Sequence, residues 1–539
     1  MIRSLPVFAV LALGLLVSDV FGAPGCSVGI ELPNQVPVTP AVEHALAEMG
    51  IDYVNFYVNT FPNTGDLAVE KTLPELTALC ARLKLRFSLA AHAFEPPEAA
   101  VHQCVALNKG EAAPRFDGMV FDELEHVAVL NHYGMKGMVD SDKLRTLDEA
   151  YDTTLKAYTD LVDKYRAMGA PLTATHVFPV LFHLAARAGA IPCPKIAKEE
   201  YSSITMAMGM GAAKQYGRPL WADCDLWFWD LVPGHTPEEF RSNLLLAYWL
   251  GADCIYVEGA GYNLLPSGRA GVPFSLMSVT GESNYQLTPH GDVLRRFCRE
   301  YMPAHPRPWT FRDVKPQVAI VHFDDACVGQ RYTGWADNLY GSPHLHSDAD
   351  TEGWFALWNL LTGGHTGRDG LTFFKDWTAL YGYERPVRPG VTESYLSRPV
   401  QADVHRFFVP LTGVVVYDDM VKYDRLAGVP LIVLTGKRVS DESMAAIRRR
   451  VAEGATCLAW APLARKRGFP EVGPGVTVKP DGAGKWVFTD DFGYSGIFQQ
   501  IWQWVGHPDE IRYTFGEHTV VLRRVTDNEV GVEVDGKRE

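Results

Sequence analysis

The chain has no Cys-x-x-Cys pair, and its nine cysteines stand singly at positions 26, 80, 104, 193, 224, 254, 298, 327 and 457. That spacing excludes a zinc ribbon and a dense disulfide framework. It leaves open an isolated disulfide, such as Cys80 with Cys104, while Cys224 and Cys254 read as packing residues inside apolar strands. Positive charge is also short: the formal net charge is −14, which opposes binding to nucleic acid or to an anionic membrane surface. Beyond the N-terminal segment no apolar run is long enough to span a bilayer. Internal repeats and low-complexity blocks are absent too, which removes solenoids and disordered tails from consideration.

At 539 residues the chain exceeds what one hydrophobic core organises, so several domains are expected. Residues 1–22 read as a signal peptide: Met-Ile-Arg, an apolar run from Val7 to Val17, then Val20-Phe-Gly22 with a small residue at the cleavage position. A secreted or periplasmic protein follows from that reading, with no membrane insertion after cleavage.

From 23 to 305 strand-like runs alternate with helical patterns, as in a (β/α)8 TIM barrel. Seven strands are visible: Ser27–Glu31, Tyr53–Val58, Arg86–Ala91, Gly118–Phe121, Leu172–Phe178, Pro219–Asp225 and Asp253–Glu258. The eighth is either Val272–Met277 or a short strand near Ala188–Pro192, so the Glu258 strand is seventh or eighth. The Pro-rich stretch Met302–Trp309 reads as a linker. A flavodoxin-like α/β domain is expected over 306–470 and a small β domain over 471–539.

The chemistry concentrates where apolar strands break into acids. Phe116-Asp-Gly-Met-Val-Phe-Asp-Glu-Leu-Glu-His126 ends in three carboxylates, and Ala252-Asp-Cys-Ile-Tyr-Val-Glu-Gly-Ala-Gly261 delivers Glu258 into a glycine-rich turn. Barrels keep their chemistry at the C-terminal ends of strands, and two carboxylates facing each other there suit hydrolysis of a glycosidic bond. Glu123, two residues beyond the last apolar position, is expected to point into the barrel mouth as general acid/base, with Glu125 as alternative. A neighbouring carboxylate, Asp122 or Glu125, would raise its pKa. Glu258 is expected as nucleophile, with Asp225 as alternative. Asp122, Glu31, Asn59, His92, His176, Trp227 and Tyr256 complete the candidate substrate site. No metal and no cofactor are expected: a His-x-His on the first strand is missing, and His344-x-His346 falls in the second domain. Those two histidines are candidates for a substrate wall beside the mouth.

The layout resembles glycoside hydrolases of the beta-galactosidase type, in which the barrel is followed by an amidotransferase-like domain and a short β domain. The resemblance is carried by Val120-Phe-Asp-Glu123, Leu250-Gly-Ala-Asp253, Leu287-Thr-Pro-His-Gly-Asp-Val-Leu294 and, in the second domain, Pro430-Leu-Ile-Val-Leu-Thr-Gly436 with Val451-Ala-Glu-Gly-Ala-Thr456. It implies an exported retaining glycosidase acting on an oligo- or polysaccharide, with a non-catalytic second domain that serves subunit contact in a homo-oligomer or shapes the cleft. It also implies a nucleophile on the seventh strand: Glu258 if its strand is seventh, Asp223 or Asp225 if it is eighth. Asp122 stands where the family has Asn. The competing readings are a carbohydrate-binding protein that has lost catalysis and a metal-dependent barrel hydrolase.

Overall fold

The computed structural model describes residues 25–58, 69–92, 98–108, 115–124, 138–170, 172–177, 181–196, 202–226, 235–260, 276–323, 339–346, 348–366, 408–526 and 528–539. The expected signal peptide lies outside these residues.

Eight parallel strands close into a barrel in sequential order: β1 (Ser27–Pro33), β2 (Tyr53–Tyr57), β3 (Arg86–His92), β4 (Phe116–Asp122), β5 (Leu172–Val177), β6 (Ile191–Ile196), β7 (Trp221–Cys224) and β8 (Cys254–Val257). Helices return the chain outside it. Three of them open on a Thr-Pro pair, at Thr39, Thr236 and Thr288, whose threonine hydroxyls accept from the first turn. Proline there lacks only an N–H that would have had no helical partner.

Side-chain alternation divides the barrel into two cores. Tyr53, Tyr57, Ala90, Val120, Ala174, Ile191, Cys193, Trp221, Cys254 and Tyr256 pack inside it, and the intervening residues pack outward against the helices. Gly29 makes room inside: a Cβ there would fall 2.3 Å from the Tyr53 ring. The missing strand is β6. Of the other candidate, residues 272–275 lie outside the described residues, and Met277 belongs to the hairpin of β9 (Met277–Val279) and β10 (Tyr285–Leu287). The Glu258 strand is therefore the eighth.

The Met302–Trp309 stretch is docked rather than loose. Arg307 is buried and donates to the carbonyls of Tyr248 and Ala252, and the Trp309 indole donates to Trp249 O at 3.3 Å. Beyond it come β11 (Val318–His322), β12 (Leu411–Thr412), β13 (Val414–Tyr417), β14 (Leu431–Thr435), β15 (Thr456–Trp460), β16 (Val476–Asp481) and β17 (Gly484–Thr489). A six-stranded sheet runs β13-β11-β14-β15-β17-β16, parallel except for β16, a flavodoxin-like order with an added edge. It corrects the expected boundary at 470, because β17 pairs with β15 and carries the sheet to Thr489. The last sheet joins β12 to β18 (Glu510–Phe515), β19 (His518–Arg524), β20 (Val530–Val534) and β21 (Lys537–Arg538).

The second domain rests on the barrel through β13. Ser202–Tyr216, a helix of small residues and methionines, lies so close to this strand that a Cβ on Gly211 would sit 1.5 Å from Val416 O. His183 Nε2 meets the same carbonyl at 2.9 Å, and Ser203 Oγ donates to Val409 O.

All eight described cysteines are free. Cys80 and Cys104 are both buried, and burial pushes each thiol up to about 12. Among the described residues no helix is long and apolar enough to cross a membrane.

Candidate active site

The C-terminal ends of the barrel strands gather six buried carboxylates: Glu31, Asp122, Glu123, Asp223, Asp225 and Glu258. Alternation explains most of them. Inward-facing Val120 sets Asp122 inward, Trp221 sets Asp223 and then Asp225, and Tyr256 sets Glu258. Glu123 would face away from the barrel in an extended strand, as Phe121 does where it packs on Tyr165. It reaches the interior because its φ is 47°, in the left-handed region rarely occupied by residues other than glycine. Its inward aim thus comes from a backbone turn, whereas Asp122 holds the position that strand periodicity supplies.

The centre of the cluster is Lys195, near the end of β6 and fully buried. Its ammonium lies 2.8 Å from Glu258 Oε2, 2.9 Å from Asp122 Oδ1, 3.4 Å from Glu123 Oε1 and 3.8 Å from Asp225 Oδ2. Burial alone would strip its proton. The four surrounding acids, Asp122 and Glu258 foremost, outweigh burial and hold it charged, with a pKa above the ordinary lysine value.

Two acids are driven the other way. Burial, then the neighbouring charge of Glu258, raises Glu31 well above the carboxylate range. Asp223 is raised by burial and then by Glu258 and Asp225. Both therefore favour their neutral forms. The Tyr256 hydroxyl donates to Glu31 Oε2 at 2.5 Å, and the Glu258 amide donates to Asp223 Oδ1 at 3.3 Å. Glu31 Oε1 and Asn55 Nδ2, on paired residues of β1 and β2, are buried without a hydrogen-bond partner among the described residues. With the proton of neutral Glu31 on Oε1, both atoms donate, and together they suit a hydroxyl oxygen, which accepts through two lone pairs.

Oxygens of Asp223, Asp225 and Glu258 lie within 4.8 Å of one another, a spacing at which carboxylates share a cation. The cation in contact with two of them is the Lys195 ammonium.

The structure thus brings Glu31, Asp122, Glu123, Asp225, Tyr256 and Glu258 together. Asp122 does not act on Glu123 as a lone anion, however, because both lean on Lys195. His92 ends β3, and His176 is the last residue but one of β5. Asn59, Glu125 and Trp227 lie outside the described residues. His344 and His346 are solvent-exposed side chains in the second domain. Sequence reasoning missed Lys195. Its signal was a lysine embedded in Ala190-Ile-Pro-Cys-Pro-Lys-Ile196.

No family model and no curated protein matches the sequence. Among solved structures the chain is similar to an exo-beta-1,4-mannosidase from Opitutaceae bacterium strain TAV5, at 10% identity and TM-score 0.49, covering 90% of this chain and 97% of that one. It is also similar to the beta-mannanase of Thermomonospora fusca, at 13% identity and TM-score 0.32, over 51% of this chain and 88% of that one. A third is the deoxyribose phosphate aldolase of Aeropyrum pernix, at 14% identity and TM-score 0.26, over 47% and 93%. Likeness of this degree carries no information on activity; the barrel rests on its own strand pairing.

Proposed function

We propose that this protein is an exported glycoside hydrolase that cleaves an oligo- or polysaccharide by a retaining two-carboxylate mechanism, with Glu123 as general acid/base and Glu258 as nucleophile. One observation carries the reading: Glu123 from the end of β4 and Glu258 from the end of β8 converge on a single ammonium, at 3.4 and 2.8 Å. By those two distances their contacting oxygens are at most about 6.2 Å apart, below the ~6.5–9.5 Å that admits water in an inverting pair, which favours the retaining geometry.

In this reading Glu258 attacks the anomeric carbon while Glu123 protonates the departing oxygen. Glu123 then takes a proton from the water that releases the sugar. The unpartnered atoms of Glu31 and Asn55 receive a sugar hydroxyl. The strand count favours a nucleophile from β7, which makes Asp225 the second candidate: Asp223 is held neutral by burial and its acidic neighbours, and a neutral acid is a poor nucleophile.

The test is release of sugar from aryl glycosides and polysaccharides by residues 23–539, with Glu258→Gln and Asp225→Asn alongside. Glu258→Gln should lower kcat at least about 1000-fold, or ~4 kcal/mol of transition-state stabilisation. Full activity in Glu258→Gln with collapse in Asp225→Asn moves the nucleophile to β7. Failure of the wild type on every glycoside refutes the proposal.

A further inference from the structure

We infer that Lys195 is a positioning residue that sets the pH range over which Glu123 holds its proton, an inference that rests on the acid/base role proposed above. The geometry is specific. An ammonium has three protons to give, and the three nearest acceptors are Glu258, Asp122 and Glu123. A cation in contact with a carboxyl group favours its charged form, and neighbouring anions favour its neutral form.

The titratable groups described around Lys195 are Glu31 from β1, Asp122 and Glu123 from β4, Cys193 on β6 itself, Asp223 and Asp225 from β7, and Tyr256 and Glu258 from β8. His92 ends β3, and His176 lies in β5, the strand beside β6. Among the described side chains of this set, Lys195 is the one that carries positive charge. Remove it, and Glu123 loses the cation in contact with it while the acids of three other strands remain, so its proton leaves only at higher pH. With Lys195 present the proton leaves earlier, and the alkaline limit of the reaction falls at lower pH.

The backbone points the same way. Strained conformations persist where their surroundings over-determine them, and the positive φ of Glu123 turns its carboxylate to within 3.4 Å of Lys195. Lys195 need not touch substrate to act. It works through the carboxylate that does.

The experiment compares wild type, Lys195→Met and Lys195→Arg in two ways: the pH profile of kcat/KM, and carbon-13 NMR titration of labelled Asp and Glu carboxyl groups, which needs no turnover. In Lys195→Met the alkaline limb should move up by about one pH unit or more, and more carboxyl groups should stay protonated at neutral pH. Lys195→Arg keeps the charge and should leave the limb near its wild-type position even where kcat drops. A Lys195→Met profile that superimposes on wild type, with only kcat lowered, overturns the inference, since a purely structural lysine would do that. Should Lys195→Met fail to fold, the Asp122→Asn/Lys195→Met double variant removes an anion along with the cation and takes its place. If the wild type hydrolyses no glycoside, the glycosidase reading fails by itself. The carboxyl titration then decides the inference: unchanged carboxyl titration in Lys195→Met overturns it, and carboxyl groups that keep their protons to higher pH support it.

Discussion

Replacing Asp223 by Asn should make the protein more stable, and by an amount that grows with pH. Asp223 is fully buried, and burial together with Glu258 and Asp225 raises its pKa far above the ordinary 3.8. A group whose folded pKa lies above its unfolded value contributes stability that is present below the unfolded value and is lost as pH rises through the folded one. Holding that proton costs about 1.4 kcal/mol for each pH unit above 3.8, a ceiling of about 4 kcal/mol at pH 7. Asparagine has the shape of the protonated acid and carries no such cost. Its oxygen can still accept from the Glu258 amide, as Asp223 Oδ1 does at 3.3 Å, and its NH2 can donate toward the neighbouring carboxylates as the acid proton does. Urea unfolding of both proteins, followed by tryptophan fluorescence at pH 4, 5.5 and 7, measures the difference. The gain should be near zero at pH 4 and largest at pH 7. A gain that does not vary with pH would refute the reasoning, and so would a net loss at pH 7.

Two further substitutions probe the fold and the site. Glu123→Gly relieves a left-handed backbone that glycine adopts without strain; it should hold or raise stability, by on the order of 1 kcal/mol, while cutting hydrolysis by about 100-fold or more, and lower stability with turnover intact would contradict it. Gly211→Ala drives a methyl group into Val416 O, where a Cβ would sit only 1.5 Å away, so the helix must lift from β13 at a cost of about 2 kcal/mol or more. Urea unfolding should begin earlier in that variant and trypsin should cut it faster, and wild-type resistance to both would contradict the described packing of barrel on sheet.

Much of this fold can be read in the chain because local chemistry and tertiary need agree. Thr-Pro pairs at 39, 236 and 288 begin helices, and seven apolar runs become seven barrel strands within a few residues of their expected bounds. The sheet of the second domain departs from expectation at its far end. There the alternating pattern of residues 476–489 looks the same whether it joins a parallel sheet or a separate β domain, and pairing with β15, a long-range contact, decides it.

The sixth strand shows how one local conflict propagates. Ile191-Pro-Cys-Pro-Lys-Ile196 carries two prolines, which argue against a central strand, and a lysine, which breaks an apolar run. The prolines are two residues apart, so their missing N–H groups fall on the same side of the strand; pairing with β5 runs through both of them, from Ile191 to Pro194, and pairing with β7 comes after them, at Lys195 and Ile196. Overlooking β6 leaves the Glu258 strand with an uncertain number and hides the cation around which the acids are arranged. The acids themselves could be read because a carboxylate at the end of an apolar strand is unusual in its surroundings. Lys195 could not, because a lysine in such a run reads as the strand's end when its compensating charges lie 72 residues before it, at Glu123, and on the two strands that follow. A buried lysine is unaffordable in isolation and stable among four carboxylates, so its position becomes intelligible only once the barrel has closed and the ends of β4, β7 and β8 stand around it.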